Sequence, residues 1–363
     1  MDSEADRHWM RQALRQATYS RGQTWPNPGV GCVIVGPDGQ LLGSGRHRRC
    51  GGDHAEIIAL AACRAAGHDP RGATAYVTLA PCTSTGRTGP CSTALIAAGL
   101  DRVVAAIPDP IQRSPSEAFA SASISYACGV LAAEAEDLHG GFVSRVTRGR
   151  PRLTAKWAMT IDGFLATTSG YSAWISCPRA LAFSRRRRRH FDAIVVAGGT
   201  VRADDPRLLA ATAPQRGPWR VVVSATARLP DRAHLVYESA SPPVVLIHDA
   251  RAQADALVRL EQAGVRLHAV DNAHEPIQVG AALAALGFND VLVEGGGQLH
   301  NAFLAADMYD SIECYIGPLT MGGGRPVASG DGVASVADGA RWHLWQSPRR
   351  LGASLYCVYR RVR

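Results

Sequence analysis

One histidine, one glutamate and two cysteines form the group of residues in this chain that is best suited to metal chemistry. They are His54 and Glu56, two positions apart, and Cys82 and Cys91 further along. An imidazole and two thiolates make a three-ligand zinc site, and a catalytic zinc keeps its fourth position open for water. Glu56 lies near enough to His54 to take a proton from that water and pass it on. The group therefore predicts hydrolytic chemistry at a zinc ion.

The order of these residues narrows the chemistry. H-x-E followed by P-C and a second cysteine is the pattern of zinc enzymes that remove the amino group of a nucleobase. Here eight residues separate Cys82 from Cys91, whereas the common spacing in such enzymes is two. A purely structural zinc with an incidental glutamate is the alternative. Asn27, His47 and Arg87 carry polar groups suited to gripping a ring, although ordinary surface positions would account for them equally well.

Length and composition indicate a two-domain globular protein. The chain has 363 residues, 46% of them hydrophobic and 19% charged, and it contains no long apolar run that would cross a membrane. Its first seventeen residues are charged and helix-periodic, unlike a signal peptide. Nine scattered cysteines favour free thiols and metal ligands over a disulfide framework. We therefore expect a cytoplasmic enzyme with no membrane partner.

Positive charge is concentrated in one run of five arginines, residues 185–189, within a net charge of +8. Such a run is more often a solvated helix face than a nucleic-acid site, and one member could contact a phosphate. Aromatic residues, on which nucleic-acid bases stack, make up only 6% of the chain. Binding to nucleic acid is therefore not expected, and small anionic substrates suit the charge as well.

Hydrophobic periodicity places the zinc residues in an α/β domain. The pattern predicts helices at residues 7–20, 54–66 and 91–98, with strands at 30–35, 41–42, 75–79 and 102–107. Residues 108–138 carry few signals, and residues 145–151 are typical of a linker. The sequence thus predicts one domain over residues 1–147 and a second over 148–363.

The second half alternates strands and helices without repeating the first. Strands are predicted at 153–159, 193–197, 220–223, 244–247 and 291–293, and helices at 251–264 and 277–286. The strand at 291–293 is followed by Glu294 and three glycines, and Gly198-Gly199-Thr200 has the same character. Glycine turns after strands often hold dinucleotide phosphates, although ordinary strand-to-helix turns fit as well.

Several short stretches of both halves follow the pattern of a known family. In the first half they are PNPGVGC (26–32), GDHAE (52–56), YVTL (76–79), and PC (81–82) through GRT (86–88) to PC (90–91). In the second half they are KWAM (156–159), DG (162–163), SGYSAWI (169–175), DDP (204–206) and VEGG (293–296). With these stretches both halves resemble the bifunctional riboflavin-biosynthesis deaminase/reductase family, and the eight-residue spacing between the cysteines is a feature of that family.

The resemblance implies a cytidine-deaminase-like three-layer domain joined to an α/β domain similar to dihydrofolate reductase. It implies zinc-dependent deamination of a phosphoribosylamino-pyrimidine, then reduction of its ribosyl group to ribityl by NADPH. The substrate residues implied are Asn27, His47 and Arg87 in the first domain and Lys156, Ser172, Trp174, Arg188, Asp204 and Glu294 in the second. Thr200, Gly295 and Gly296 would face the cofactor. A homo-oligomer is also expected.

Several positions depart from the family pattern. Ala80 stands where a glutamate is usual, Ser84 where a histidine contacts substrate, and Ala211 where an arginine contacts phosphate. Asp109-Pro110 is followed by Ile111-Gln112 instead of Asn-Pro. These changes leave open a divergent paralogue in a specialised-metabolite pathway, with a weakened or inactive reductase half. A nucleic-acid-editing deaminase and a binding protein with an inert reductase half are further alternatives.

Overall fold

The chain divides into two units, residues 1–148 and 149–363. A computed structural model describes residues 3–85, 89–211, 217–237, 242–330 and 332–362. Within these ranges, no helix is long and apolar enough to span a lipid bilayer.

The first unit contains five helices and five strands among its described residues. In chain order they are α1 (Glu4–Thr18), β1 (Gly31–Val35), β2 (Leu41–Arg46), α2 (Ala55–Ala65), β3 (Thr74–Val77), α3 (Cys91–Ala97), β4 (Arg102–Ala105), α4 (Ser116–Ser121), β5 (Ser125–Cys128) and α5 (Ala132–Arg148). The linker predicted at 145–151 is wrong for residues 145–148, because α5 continues to Arg148. The sheet order is β2-β1-β3-β4-β5, and β3, β4 and β5 run parallel.

Alternating side chains of β1 and β3 hold this unit in three layers. Cys32 and Ile34 face one apolar cluster, together with residues of α2, α3 and α4. Val33 and Val35 face a second cluster formed with α1 and α5. Because side chains alternate across a strand, both faces of the sheet are covered by helices. The expected three-layer α/β arrangement is therefore confirmed.

A buried carboxylate fastens α1 to this sheet. Ser3 caps the helix by accepting a hydrogen bond from the Asp6 amide at 3.0 Å, so the helix begins three residues earlier than periodicity predicts. The Asp6 side chain accepts from Arg102 at 2.7 and 3.0 Å and from the Tyr76 hydroxyl at 2.8 Å. The Arg102 contact, opposed by burial, holds the pKa of Asp6 well below its usual range. Asp6 is therefore charged wherever the unit is folded near neutral pH.

Replacing Asp6 with asparagine should lower the free energy of unfolding of the first unit by about 2 kcal/mol at pH 7, the size expected for lost charge-assisted hydrogen bonds. A lowered folded-state pKa stabilises the fold above the unfolded value near 4, and that contribution is lost as the pH falls. The difference between wild type and Asp6→Asn should therefore shrink towards pH 3. Hydrogen exchange of the α1 and β3 amides at each pH measures this difference in unfolding free energy. Glu136→Gln, at an exposed position, is the control. A pH-independent difference would contradict the assignment.

The second unit has a long mixed sheet. Its elements are β6 (Arg152–Met159), β7 (Phe164–Ala166), α6 (Pro178–Arg187), β8 (Ala193–Ala197), α7 (Gly198–Asp204), β9 (Trp219–Val223), α8 (His234–Tyr237), β10 (Val244–His248), α9 (Ala254–Gln262), β11 (Arg266–Ala269), α10 (Pro276–Ala285), β12 (Asp290–Val293), α11 (Gly297–Ala305), β13 (Ser311–Ile316), β14 (Arg325–Pro326), β15 (Trp342–Leu344), β16 (Arg349–Leu351) and β17 (Ser354–Arg361). Short 3-10 turns follow at Arg188–His190 and Val336–Asp338.

The parallel strands of this sheet position the two glycine turns that were predicted to contact the cofactor. The order is β11-β10-β9-β8-β12-β6-β13-β17-β15, with β16 also pairing β17, and the strands from β11 to β13 run parallel. The strands β8 and β12 are neighbours, and each is followed by a glycine turn and a helix. Because the carboxyl ends of parallel strands share one edge, both glycine turns lie at that edge.

Candidate active sites

The predicted zinc residues of the first unit converge from three separate segments. His54 is the residue before α2, Cys82 follows β3, and Cys91 is the first residue of α3. The His54 Nδ1 atom lies 3.7 Å from the Cys82 Sγ atom and 3.3 Å from the Cys91 Sγ atom, and all three donor atoms lie within 4.8 Å of one another. Donor atoms bound to one tetrahedral zinc are about 3.6 Å apart. The cluster therefore has the spacing and the donor chemistry that zinc requires.

The two thiols are also electrostatically unequal. A hydrogen bond from Cys91, with further help from His54, lowers the pKa of Cys82 to about 4. The backbone N–H of Cys91 also donates to the Cys82 Sγ atom at 3.2 Å. The same contact with Cys82, together with burial, raises the pKa of Cys91. A cation between the two sulfurs would relieve this opposition, since thiolates are the form that binds metal.

Glu56 lies on the first turn of α2, directly beside this cluster. Its side chain is buried, with 3% of the residue exposed. Burial raises the pKa of Glu56 to about 7, and the neighbouring His54 opposes the shift. A carboxyl group that is buried and adjacent to a metal site is well placed to exchange protons.

A cavity of about 310 Å³ opens onto the cluster and is lined by Asn27, His47, His54, Glu56 and Cys82, among others. The His47 Nδ1 atom lies 2.9 Å from the carbonyl oxygen of Asp53, and its Nε2 atom lies 3.2 Å from the Asn27 Nδ2 atom. Burial lowers the pKa of His47, which favours the neutral ring. The structure thus brings the predicted Asn27 and His47 to the metal cluster. Arg87, also predicted here, lies outside the described residues.

Sequence reasoning missed Gln112 as a residue of this cavity. Its Oε1 atom accepts a hydrogen bond from the Ser84 hydroxyl at 2.9 Å and contacts the backbone amides of Ser84 and Thr83 at 3.3 and 3.4 Å. Gln112 lines the cavity, as do Ala80, Asp109 and Arg145. Two of the departures from the family pattern, Ser84 and Gln112, therefore bond to each other. The signal available in the sequence was that both positions depart from the family pattern, whereas their contact is visible only in the structure.

Replacing Gln112 with leucine should raise KM for the deaminase substrate about tenfold, because the loss of these hydrogen bonds releases residues 83–84 beside the cavity. Gln112→Glu is the matched control, since a carboxylate keeps the accepting oxygen. Steady-state ammonia release by the two variants measures the effect. If both variants raise KM equally, Gln112 acts through its amide nitrogen instead of holding Ser84.

In the second unit, three of the predicted substrate residues form a buried ion cluster. Arg188 donates to both carboxylate oxygens of Glu294, at 2.7 and 2.9 Å, and the Lys156 Nζ atom lies 3.5 Å from Glu294. Burial opposes the charge on Glu294, yet Arg188 and Lys156 outweigh it and lower the pKa of Glu294 to about 2. The remaining Arg188 contact runs to the carbonyl oxygen of Leu209 at 2.9 Å. These protein acceptors would have to open before Arg188 bound a phosphate as predicted.

The arginine run is therefore only partly a solvated face. Arg187 pairs with the buried Glu313, and Arg188 pairs with Glu294, whereas Arg185, Arg186 and Arg189 are exposed. The two inward members fix the end of α6 and the following turn against the sheet.

Thr200, Gly295 and Gly296 lie together at the carboxyl edge of the parallel strands. A Cβ atom built on Gly296 would lie 3.7 Å from the Thr200 Oγ1 atom and would meet no other atom of the described residues within 4 Å. A Cβ atom on Gly199 would likewise meet a single atom, at 3.8 Å. The backbone is thus open to close approach at Gly296 and Gly199, which is what a dinucleotide phosphate requires. A Cβ atom on Gly295, in contrast, would lie 2.6 Å from the Leu299 Cδ2 atom. The edge fits a nicotinamide dinucleotide such as NADPH.

Ser172, Trp174 and Asp204 are placed apart from these contacts. All three are exposed, and Trp174 is 73% exposed with φ of 69°. A positive φ is unusual for a tryptophan and is retained mainly where surroundings or function impose it. Within the described residues, no hydrogen bond or ion pair joins these three to the Lys156–Arg188–Glu294 cluster.

The folds and sites together define a two-domain enzyme, with a zinc-type deaminase unit followed by an α/β reductase unit. Residues 3–107 match the family model of the cytidine and deoxycytidylate deaminase zinc-binding region, and residues 151–349 match that of the RibD C-terminal domain. The chain belongs to the RibD family of riboflavin biosynthesis proteins, and like them it is a deaminase and reductase that uses zinc and NADPH.

Individual relatives match over nearly the whole chain. Riboflavin biosynthesis protein RibD of Aquifex aeolicus is 33% identical, covering 99% of this chain and 100% of that protein. The protein of the same name from Escherichia coli is 36% identical, covering 92% and 93%. The structure of Acinetobacter baumannii RibD superposes with a TM-score of 0.87 at 31% identity, covering 99% of each chain. Nothing in these comparisons favours the specialised-pathway or nucleic-acid-editing alternatives.

A Thermotoga maritima structure carries the most specific description among these matches. It is named a diaminohydroxyphosphoribosylaminopyrimidine deaminase and 5-amino-6-(5-phosphoribosylamino)uracil reductase. It superposes with a TM-score of 0.87 at 29% identity and covers 99% of each chain.

Proposed function

We propose that the unit of residues 1–147 deaminates diaminohydroxyphosphoribosylaminopyrimidine and that the unit of residues 148–363 reduces the product. The observation that carries the proposal is the buried Glu56 beside the His54, Cys82 and Cys91 donors in one cavity with Asn27 and His47. The substrate named for the Thermotoga maritima protein has a ring amine suited to such a site. Arg87 is retained as a further substrate contact on the resemblance alone.

The roles in the deaminase site follow from these contacts. Zinc held by His54, Cys82 and Cys91 would lower the pKa of a water molecule at its open position. The water oxygen would bond to the ring carbon that carries the exocyclic amino group. Glu56 would take up a proton from the water and return it to that amino nitrogen, whose bond to the ring carbon breaks so that it departs as ammonia. His47 is fixed by the Asp53 carbonyl and in turn orients Asn27, so the pair offers the pyrimidine ring a rigid polar edge.

In the reductase site, the proposed roles are divided among cofactor binding, positioning and substrate contact. NADPH would supply hydride to the opened ribosyl carbon, giving the ribityl chain. Thr200, Gly295 and Gly296 would hold its phosphates at the open glycine turns. Glu294 would position Lys156 and Arg188, and Lys156 would donate to the ribosyl oxygen. Ser172, Trp174 and Asp204 would close on the substrate from the exposed segments that carry them. The homo-oligomer and the cytoplasmic location remain predictions.

The test is to incubate the zinc-loaded protein with the pyrimidine phosphate, with and without NADPH, and to follow ammonia and NADPH separately. Ammonia release in both samples and NADPH loss in one would support both assignments. Ammonia without NADPH loss would contradict the reductase assignment alone. No ammonia in either sample would contradict the proposed substrate.

A further inference from the structure

A buried histidine on α11 lies one helical turn after the glycine turn that follows β12. His300 is fully buried, and its backbone N–H donates to the carbonyl oxygen of Gly296 at 3.2 Å. The His300 Nδ1 atom lies 2.8 Å from the hydroxyl oxygen of Tyr309, which is also buried. The ring of His300 meets the ring of Trp157 edge to face, with 5.3 Å between the two centroids. These contacts hold the imidazole in one orientation between α11 and β6.

The second ring nitrogen of His300 has no such partner. Its Nε2 atom is buried and forms no hydrogen bond of normal geometry with any residue that the structure describes. Burying a polar atom without a partner costs free energy, so an apolar side chain would fill a purely structural position at lower cost. Burial also lowers the pKa of His300 to about 4, which keeps the ring neutral near pH 7. A neutral imidazole carries one N–H group and one acceptor nitrogen.

The groups that act on the His300 ring belong to the reductase site. Burial is the main cause of its lowered pKa, and the backbones of Lys156 and Gly295 oppose that shift, as acceptors beside a ring nitrogen do. Because Tyr309 occupies Nδ1, the nitrogen left for these two backbones is Nε2. The tautomer that suits both sides has the Tyr309 hydroxyl donating to Nδ1 and the hydrogen on Nε2. His300 then presents a donor both to the strand that carries Lys156 and to the glycine turn.

We propose that His300 is a positioning residue of the reductase site, whose Nε2–H group holds the Gly295–Gly296 turn in register with Lys156. The proposal rests on the reductase function proposed above. In that function the turn holds the cofactor and Lys156 donates to the substrate, so the two must be placed relative to each other to within about 0.5 Å. A donor shared between the two backbones sets this distance, although His300 itself touches neither cofactor nor substrate.

Three substitutions at this position separate the two ring nitrogens. The side-chain amide reaches the place of Nε2 in His300→Gln and that of Nδ1 in His300→Asn, whereas His300→Leu removes both. With the deaminated pyrimidine phosphate and saturating NADPH, the rate of NADPH oxidation should fall about tenfold in His300→Asn and His300→Leu and stay within about threefold of wild type in His300→Gln. The Kd for NADPH, from fluorescence titration, should stay within about threefold in all three, because the turn itself remains. His274→Gln, at an exposed position of the same unit, is the matched control.

A merely structural role would lower the amount of folded protein and leave the rate per NADPH-binding site unchanged. Wild-type rates in all three variants would therefore overturn the proposal, and so would equal losses in His300→Gln and His300→Asn, or a loss in His300→Gln alone. If His300→Leu does not fold, the two amide variants still decide. Variants that all fail to bind NADPH would make His300 a residue of the core alone. A wild-type protein that does not oxidise NADPH would overturn the reductase function as well.

Discussion

Glu56→Gln should lower the rate of ammonia release by about 10²- to 10⁴-fold while the protein keeps its zinc. Glutamine preserves the shape of the side chain but cannot accept or deliver a proton, and general acid–base catalysis contributes a factor of this size. Glu56 does not belong to the cluster of His54, Cys82 and Cys91 that could bind the metal, so the zinc content of the variant should equal that of the wild type. Zinc quantified by mass spectrometry and ammonia release measured on the same preparation test both halves of the prediction.

Glu117→Gln is the control for Glu56, since Glu117 is an exposed carboxylate on α4 of the same unit. It should release ammonia at the wild-type rate. If Glu56→Gln loses zinc in proportion to its activity, the glutamate serves the metal site instead of moving protons. Retained activity with full zinc would mean that another group carries the proton.

The second large effect is expected on stability. Glu294→Gln should lower the free energy of unfolding of the second unit by about 3–5 kcal/mol, because Arg188 and Lys156 would stay buried without their shared counter-charge. Glu294 is 7% exposed at its side chain, and Arg188 is 16% exposed. Denaturant unfolding followed by hydrogen exchange of the β12 amides measures the loss.

Asp231→Asn provides the contrast, because Asp231 pairs with Arg259 but is 91% exposed at its side chain. Removing that pair should cost no more than about 1 kcal/mol. The pH dependence has a defined sign. The lowered pKa of Glu294 means that its contribution is present above the unfolded value near 4 and is lost as the pH falls towards 2. Equal losses for the two variants would refute the buried-cluster account.

The helices and strands that position the zinc donors were predictable because their signals are local. Each is a short apolar run bounded by glycine or proline, and His54 and Cys91 stand at helix starts. The segment 108–138 was not predictable, because α4 and β5 are short, and β5 is only partly buried at the edge of the sheet. Such elements depend on packing against the rest of the unit more than on their own sequence.

Some residues of the candidate sites were likewise predictable from the sequence, and others were not. The zinc donors and Glu56 follow from residue type and spacing, since the chemistry allows few alternatives. Gln112 was missed because its partner Ser84 lies 28 positions away in the sequence, and no local sequence pattern predicts a contact between residues so far apart. The ion pair between Arg188 and Glu294, which is 106 positions away, could not be predicted from the sequence for the same reason. A charge run in the sequence does not show which of its members turn inward.

The separation of Cys82 and Cys91 also bears on how this enzyme could change its substrate. The two predicted metal ligands stand at the ends of an eight-residue segment, and Gln112 contacts Ser84 of that segment. Doubling the length of a closed loop adds only about 0.6 kcal/mol of entropic cost. The segment is therefore a natural place for insertion or exchange, by evolution or by an engineer. A library confined to residues 83–90 would vary the substrate while leaving the hydrolytic machinery in place.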